Sequence, residues 1–479
     1  MTESADLLYD RARAFTLRGE DDAAKTELLK ILSIDAAHFG ALTDLAALAL
    51  KTGHRSAALT AYRQAARHHP KNPRGLVNLA NVLLEDEAIG DAKGLYLSAL
   101  AIDPALVYAH QGLAVALDKL GDWAQAEKHR ELGYKNHSLV TRPYRGTGVP
   151  LRVLLLVSAL GGNIPTNVIL DDRLFAVTAL YADYFDPNSP LPEHDVVFNA
   201  IGDADLCGRA LTNAEIIAGR CVWPLVNPPR LIGSTGRLAI AARLSALPDV
   251  VAPRMRLYAR KCLEAPNASS VLERDGFCFP LLARSPGFHT GQNFIRVEHG
   301  GGLRDAVAQL AGSTLLAIEF LDAQGQDGLT RKYRAMFIDG QIYPLHLALS
   351  RSWKVHYFTS AMAQDEAFRR EEDTFLSNMA DAIGARAMRG LRQIQEILGL
   401  DYGGADFAIA RDGRLLLFEA NATMAMVPPP ADTCWDYRRA PIARGIESAR
   451  NMLFERGRRC PSGRPRSNES KTAPVPPAA

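Results

Sequence analysis

The chain has 479 residues, with 55 basic against 53 acidic side chains and a formal net charge of +2. That length fits about three domains, and so even a charge balance gives no reason to expect a nucleic-acid or membrane partner. The six cysteines are scattered without a CxxC pair, which argues against a zinc ribbon or disulfide framework and points to a reducing cytoplasm. No run of about 18 apolar residues occurs. The opening "MTESADLLYDRARAF" carries acids and no apolar stretch, so neither a membrane span nor a secretory signal is expected.

The first third repeats. A shift of about 34 residues aligns Ala12, Ala46, Ala80 and Ala114, and likewise Ala24, Ala58, Ala92 and Ala126. Tyr62 then matches Tyr96, Ala65 matches Ala99, and Pro70 matches Pro104. Gly19, Gly53 and Gly121 fall between the halves of their units, and Glu87 stands at the corresponding place in the third. Each unit reads as helix, turn, helix, with small alanines allowing close helix approach and proline ending the second helix. These positions resemble the tetratricopeptide repeat. The outer units are degenerate, with Leu28 and Ile31, then Arg130 and Gly133, where Tyr and Ala recur in the inner ones. Terminal repeats must cap an open apolar face. The resemblance implies a solenoid over 1–138 that docks a peptide or protein; a mere helical spacer is the alternative.

"LVTRPYRGTGVP", 139–150, interrupts the pattern with proline and glycine and reads as a linker. Over 151–235, the apolar runs "LRVLLLVSAL", "DVVFNAI" and "CVWPLVN" read as buried strands, while "DRLFAVTALYADYF" and, further on, "RLAIAARLSAL" read as helices. The alternation predicts an α/β domain with a mainly parallel sheet. Asn163, Asn199 and Asn227 lie at or near strand ends, where they either line a ligand crevice or bond local backbone.

"FIDGQIYP" is a hairpin with an Asp-Gly turn. On the strand before it, Lys332 and Arg334 share one face, and Lys332 reads as solvated. "HLALSRSWKVHYFTSAM" gathers His346, Ser350, Trp353, Lys354 and His356 with little periodicity, and part of it is expected to line an acceptor site. The following run, 364–398, is helical by its three- and four-residue apolar spacing.

"GGADFAIARDGRLLLFEAN" reads as strand, Asp-Gly turn, strand. A two-residue loop at Asp412 and Gly413 places Phe407 opposite Phe418 and Asp406 opposite Glu419. Two facing carboxylates repel unless a cation or proton lies between them. Asn421 shares the face of Glu419, and the three oxygen groups suit magnesium. The final stretch, 456–479, is rich in Pro, Ser and Arg without a periodic apolar face and is expected to be disordered.

The hairpin resembles the metal-binding end of the ATP-grasp family, in which an Asp and a Glu-x-Asn hold the magnesium of MgATP. Asp406, Glu419 and Asn421 match that pattern. The resemblance spans about 150–455 and implies a pre-grasp α/β domain at 151–235 and an α+β ATP-grasp domain at 236–455. It places Arg237 and Arg284 where the family carries phosphate-clamping lysines, and arginine's planar fork is not equivalent to an ammonium. His289 falls in the glycine-bearing loop over the phosphates, facing either the γ-phosphate or solvent. Glu319, Phe320 and Leu321 fall at the adenine hinge, offering backbone hydrogen bonds, and Arg334 at a position aimed at phosphate or acyl phosphate. The implied activity is ADP-forming carboxylate–amine ligation with ATP and Mg2+, the carboxylate and amine substrates unidentified. A phosphotransferase using the same site, or a non-catalytic repeat scaffold with a degenerate nucleotide domain, are the alternatives.

Overall fold

The computed structural model describes residues 4–287, 293–355, 357, 360–429 and 433–459. The chain divides into two compact units: residues up to Pro150 together with Thr178–Ser189, and Leu151–Val177 together with the described residues from Pro190 onward.

The first unit is a helical repeat solenoid of four antiparallel pairs: α1 (Ala5–Arg18) with α2 (Asp21–Ile34), α3 (Phe39–Lys51) with α4 (Arg55–His68), α5 (Pro73–Glu85) with α6 (Ile89–Ile102), and α7 (Val107–Lys119) with α8 (Trp123–Tyr134). Helix starts recur at the sequence period, and both series of repeated alanines are buried. Where the turn inside a pair needs a left-handed residue, Gly19, Gly53 and Gly121 supply it, at φ of 70°, 80° and 79°. Glu87 adopts the same conformation, at φ 59°, without glycine's freedom. Asn72 accepts hydrogen bonds from the backbone N–H groups of Arg74 and Gly75, and Pro73 opens α5, a pairing that starts a helix cleanly.

Two expectations are corrected here. Leu139–Thr141 of the presumed linker is a strand, β1, and "FAVTALY", read as helix, is the strand β3 (Phe175–Tyr181). Leu139 pairs with Leu180 and Thr141 with Thr178. In β3, Phe175, Val177 and Ala179 are buried in alternation, a two-residue period that outweighs the helical spacing seen in the longer window.

The second unit begins with a parallel trio, β2 (Leu151–Val157), β4 (Val196–Asn199) and β5 (Leu225–Val226), with α9 (Gly208–Gly219) between the last two. The strand-end asparagines bond backbone. Asn163 exchanges two hydrogen bonds with Ser158, Asn199 donates to the carbonyl of Asn227, and Asn227 grips both backbone groups of Tyr402.

After α10 (Pro229–Gly233), α11 (Arg237–Leu244) and β6 (Val250–Val251), an antiparallel sheet forms from β7 (Met255–Ala259), β8 (Leu281–Arg284), β9 (Phe294–Val297) and β10 (Thr314–Glu319), in the order β7-β10-β8-β9. Helices α12 (Arg260–Glu264), α13 (Ala268–Arg274) and α14 (Leu303–Ala308) accompany it, and Leu272, Phe277, Val307 and Leu315 form its core.

The third sheet has β11 (Thr330–Ile338), β12 (Gln341–Ser350), β13 (Tyr402–Ile409) and β14 (Leu415–Asn421) in the order β12-β11-β13-β14-β6. The β11–β12 turn is the expected two-residue type, with Asp339 and Gly340 both at positive φ. Helices α15 (Glu366–Ser377) and α16 (Met379–Leu398) follow β12, and Phe375 meets Tyr333 edge-on at 5.0 Å. Helix α17 (Arg439–Gly457) closes the described chain. Arg456, placed by the sequence in the disordered tail, is helical and pairs with Asp401 and Asp339; 460–479 lie outside the described residues.

Candidate functional site

A cleft of about 400 Å³ lies between the four-stranded sheet and the β11–β14 sheet. Its lining includes the apolar Leu282, Ile318, Phe320 and Leu321, with the Arg296 guanidinium 4.2 Å from the Phe320 ring, and a charged group made of Arg237, Arg284, Lys332 and Arg334 together with Asp406 and Glu419.

The charged group is laid out by strand register. His346, Arg334, Asp406 and Glu419 are consecutive Cα partners across β12, β11, β13 and β14. The Asp406–Glu419 pairing matches the sequence reading, but the hairpin is built differently. Ala410 donates to the carbonyl of Arg414, and Gly413 sits at φ 82°, so the loop has three residues, Arg411 to Gly413, with glycine in the left-handed position. Phe407 therefore opposes Leu417, not Phe418. The register shifts between Asp406 and Phe407, so Phe418 is an extra residue, a β-bulge that restores the Asp406–Glu419 pairing. Leu417, Phe418 and Glu419 all line the cleft.

Asp406 is buried and saturated with positive partners. Arg334 Nε lies 2.5 Å from Oδ1 and Nη2 2.8 Å from Oδ2, a bidentate fork, and Lys332 Nζ lies 2.7 Å from Oδ2. Burial alone would raise the Asp406 pKa; the Arg334 and Lys332 charges outweigh it and hold the group far below the usual carboxylate range. Lys332 is thus a cleft residue rather than a solvated one. Glu419, half-buried, receives Arg237 Nη2 at 2.5 Å on Oε1. Its pKa is lowered, against burial, chiefly by Arg237. Arg237 opens α11 and its backbone N–H donates to Asp205. Arg284, at the end of β8, has its pKa lowered to about 10 by burial and then by the charge of Arg237.

Asn421 pairs with Gly404 on the same strands, but its Oδ1 accepts from the N–H and the hydroxyl of Thr423, each at 3.0 Å. It faces a smaller adjoining cavity with Glu419, Asp203 and Asp205. The two carboxylates, on directly opposed residues, are oxygen donors of the kind a hard divalent cation takes, and each already holds a cationic side chain. The amide oxygen is committed to a local turn. Among the described residues no cluster of three or more His, Cys, Asp or Glu side chains could hold a metal ion.

At the apolar part of the lining, the backbone N–H and the carboxylate of Glu319 are both engaged by Arg254: the N–H donates to its carbonyl and the carboxylate accepts from its N–H. Phe320 and Leu321 follow the strand end, and among the described residues no hydrogen bond engages their backbone groups. Trp353 stands over this part, its ring 5.7 Å from Phe294 and 6.0 Å from Phe320. Trp353, Lys354 and Val355 line the cleft, so the aperiodic segment contributes as expected. His346, however, is a buried strand residue, 4.8 Å from Tyr357, with its pKa pushed well down by burial and Arg334. His289 and His356 lie outside the described residues.

Behind the cleft, Glu372 is fully buried and accepts from the backbone of Leu347 and the hydroxyls of Tyr357 and Tyr437. No motif in the sequence marks it. Its signal was an acid within the apolar stripe Phe368, Glu372, Phe375, Leu376, all buried on α15.

No family model and no curated protein matches the chain. Among solved structures it is similar to MamA from Desulfovibrio magneticus RS-1, 24% identical over 28% of this chain and 78% of that one, with a TM-score of 0.26. It is similar also to PilF of Pseudomonas aeruginosa, 24% identical over 28% and 62%, TM-score 0.26. A tetratricopeptide repeat protein from Parabacteroides merdae is 21% identical over 28% and 53%, TM-score 0.26. The repeat assignment stands on the helix spacing and the buried alanines. Among the described residues no helix is long and apolar enough to cross a membrane.

Proposed function

We propose that the second unit is an ATP-grasp-type catalytic unit that binds MgATP in its cleft and joins a carboxylate to an amine, releasing ADP and phosphate, while the repeat unit docks a peptide or protein. The observation that carries this reading is the row Arg334, Asp406, Glu419 across three adjacent strands in the charged lining of a cleft between two sheets. The apolar lining suits a flat base, whose edge meets the open backbone groups of Phe320 and Leu321. Arg237, Arg284, Lys332 and Arg334 suit the phosphates. Asp406 and Glu419 would hold magnesium, which when bound offsets charge on the transferring phosphoryl group.

The substrate's carboxylate oxygen bonds to the γ-phosphorus as the bond to ADP breaks. The amine nitrogen then bonds to the acyl carbon, phosphate leaves, and the nitrogen loses a proton. Arg334, fixed by its fork on Asp406, supplies positive charge where the phosphoryl group passes. No enzyme nucleophile is needed.

One observation favours a scaffold without catalysis: both carboxylates already carry cation partners. An ADP-release screen of the purified full chain against amino acids and small peptides separates the readings. ADP and phosphate with an amide product support ligation. ADP with a phosphorylated product indicates phosphotransfer, and silence with every substrate favours the scaffold.

A further inference from the structure

The two carboxylates of the cleft are held in different ways. Asp406 engages cations through both oxygens, and those cations stand on the adjacent strand β11, where Arg334 is its direct partner. Glu419 has one ion pair among the described residues, through Oε1 alone. Its partner Arg237 belongs to α11, a different element, which is pinned at that residue by the backbone bond to Asp205. The guanidinium therefore lies at the end of a side-chain arm whose root is fixed.

We propose that Arg237 is a tethered counter-cation for Glu419, keeping a divalent ion off that carboxylate until a polyphosphate in the cleft draws the guanidinium away. This rests on the MgATP reading of the cleft and adds an order of binding to it: the ion enters with the nucleotide and not before. A guanidinium at 2.5 Å and a divalent ion compete for the same oxygen. A phosphate offers the planar fork a bidentate partner of higher charge than one carboxylate oxygen. Arg237 lines both the cleft and the smaller cavity beside it, so the arm already stands where a polyphosphate would pass. Asp406 carries two cations from its neighbouring strand, so Glu419, with one from a different element, is the more readily exchanged of the two carboxylates.

The test is Mn2+ binding followed by electron paramagnetic resonance on the full chain. It compares wild type, Arg237→Gln and Arg237→Lys, with thermal melts as folding controls. Without nucleotide, Arg237→Gln should bind Mn2+ on the order of tenfold more tightly than wild type, and Arg237→Lys should stay close to wild type. With a non-hydrolysable ATP analogue, wild type should take up Mn2+ and the gap should narrow. Adding Glu419→Gln to Arg237→Gln should remove the gain. Equal or weaker Mn2+ binding by folded Arg237→Gln overturns the proposal. If wild type still takes up Mn2+ with the analogue, the counter-cation role alone has failed; if no protein takes up Mn2+ under either condition, the MgATP reading falls with it.

Discussion

Asp406 stands directly across from Glu419 because two irregularities of one hairpin offset each other. The three-residue loop moves the inner pairs out of the two-residue register, and the bulge at Phe418 moves the outer pairs back. A strand slipped by one residue turns its side chains to the opposite face. The bulge therefore decides whether Glu419 meets Asp406 in the cleft.

The two carboxylates should differ in what their removal does. Asp406→Asn leaves Lys332 and Arg334 partly buried without their counter-charge, and should lower stability by about 3 kcal/mol. Glu419 is more exposed and has one partner, so Glu419→Gln should cost under about 1 kcal/mol while abolishing MgATP-dependent turnover. Urea unfolding and ADP release measure the two effects. Unchanged turnover in Glu419→Gln would sink the metal assignment.

Glu87 is a natural test of the repeat turn. It holds a left-handed conformation that glycine fills in the other three repeats. Glu87→Gly relieves about 1 kcal/mol of backbone strain and gives up an exposed ion pair to Lys119, worth little. The melting temperature should rise by a few degrees. A fall would show that the Lys119 pair outweighs the strain.

Thiol reactivity should follow burial. Cys262 and Cys278 are exposed and should alkylate readily near neutral pH. The Cys221 thiol is pushed up to about 11 by burial, so its labelling should remain slow at neutral pH and accelerate only as pH approaches that value. Mass spectrometry of peptides alkylated at pH 7 and pH 10 checks this. Rapid labelling of Cys221 at pH 7 would contradict it.

The repeat was legible because one period places the same small residues at each helix contact, and Ala24, Ala58, Ala92 and Ala126 all end fully buried. The Asp339–Gly340 hairpin was legible for the same local reason: both residues accept positive φ. The Asp412–Gly413 dipeptide fits a two-residue loop and equally a three-residue loop with glycine last, so the sequence does not distinguish them. The bulge that compensates has no sequence mark, since Phe418 continues the apolar run before Glu419. For Lys332, strand periodicity fixes a face but not what lies across it. Its partner, Asp406, is far along the chain and arrives only through β11–β13 pairing.

The claim that the cleft of the second unit binds MgATP is tested most directly by calorimetry. The full chain is titrated with a non-hydrolysable ATP analogue in excess Mg2+. The account predicts one saturable site with a Kd on the order of micromolar, weakened about tenfold in Arg334→Gln. Folded wild-type protein that gives no saturable binding at millimolar nucleotide would contradict it.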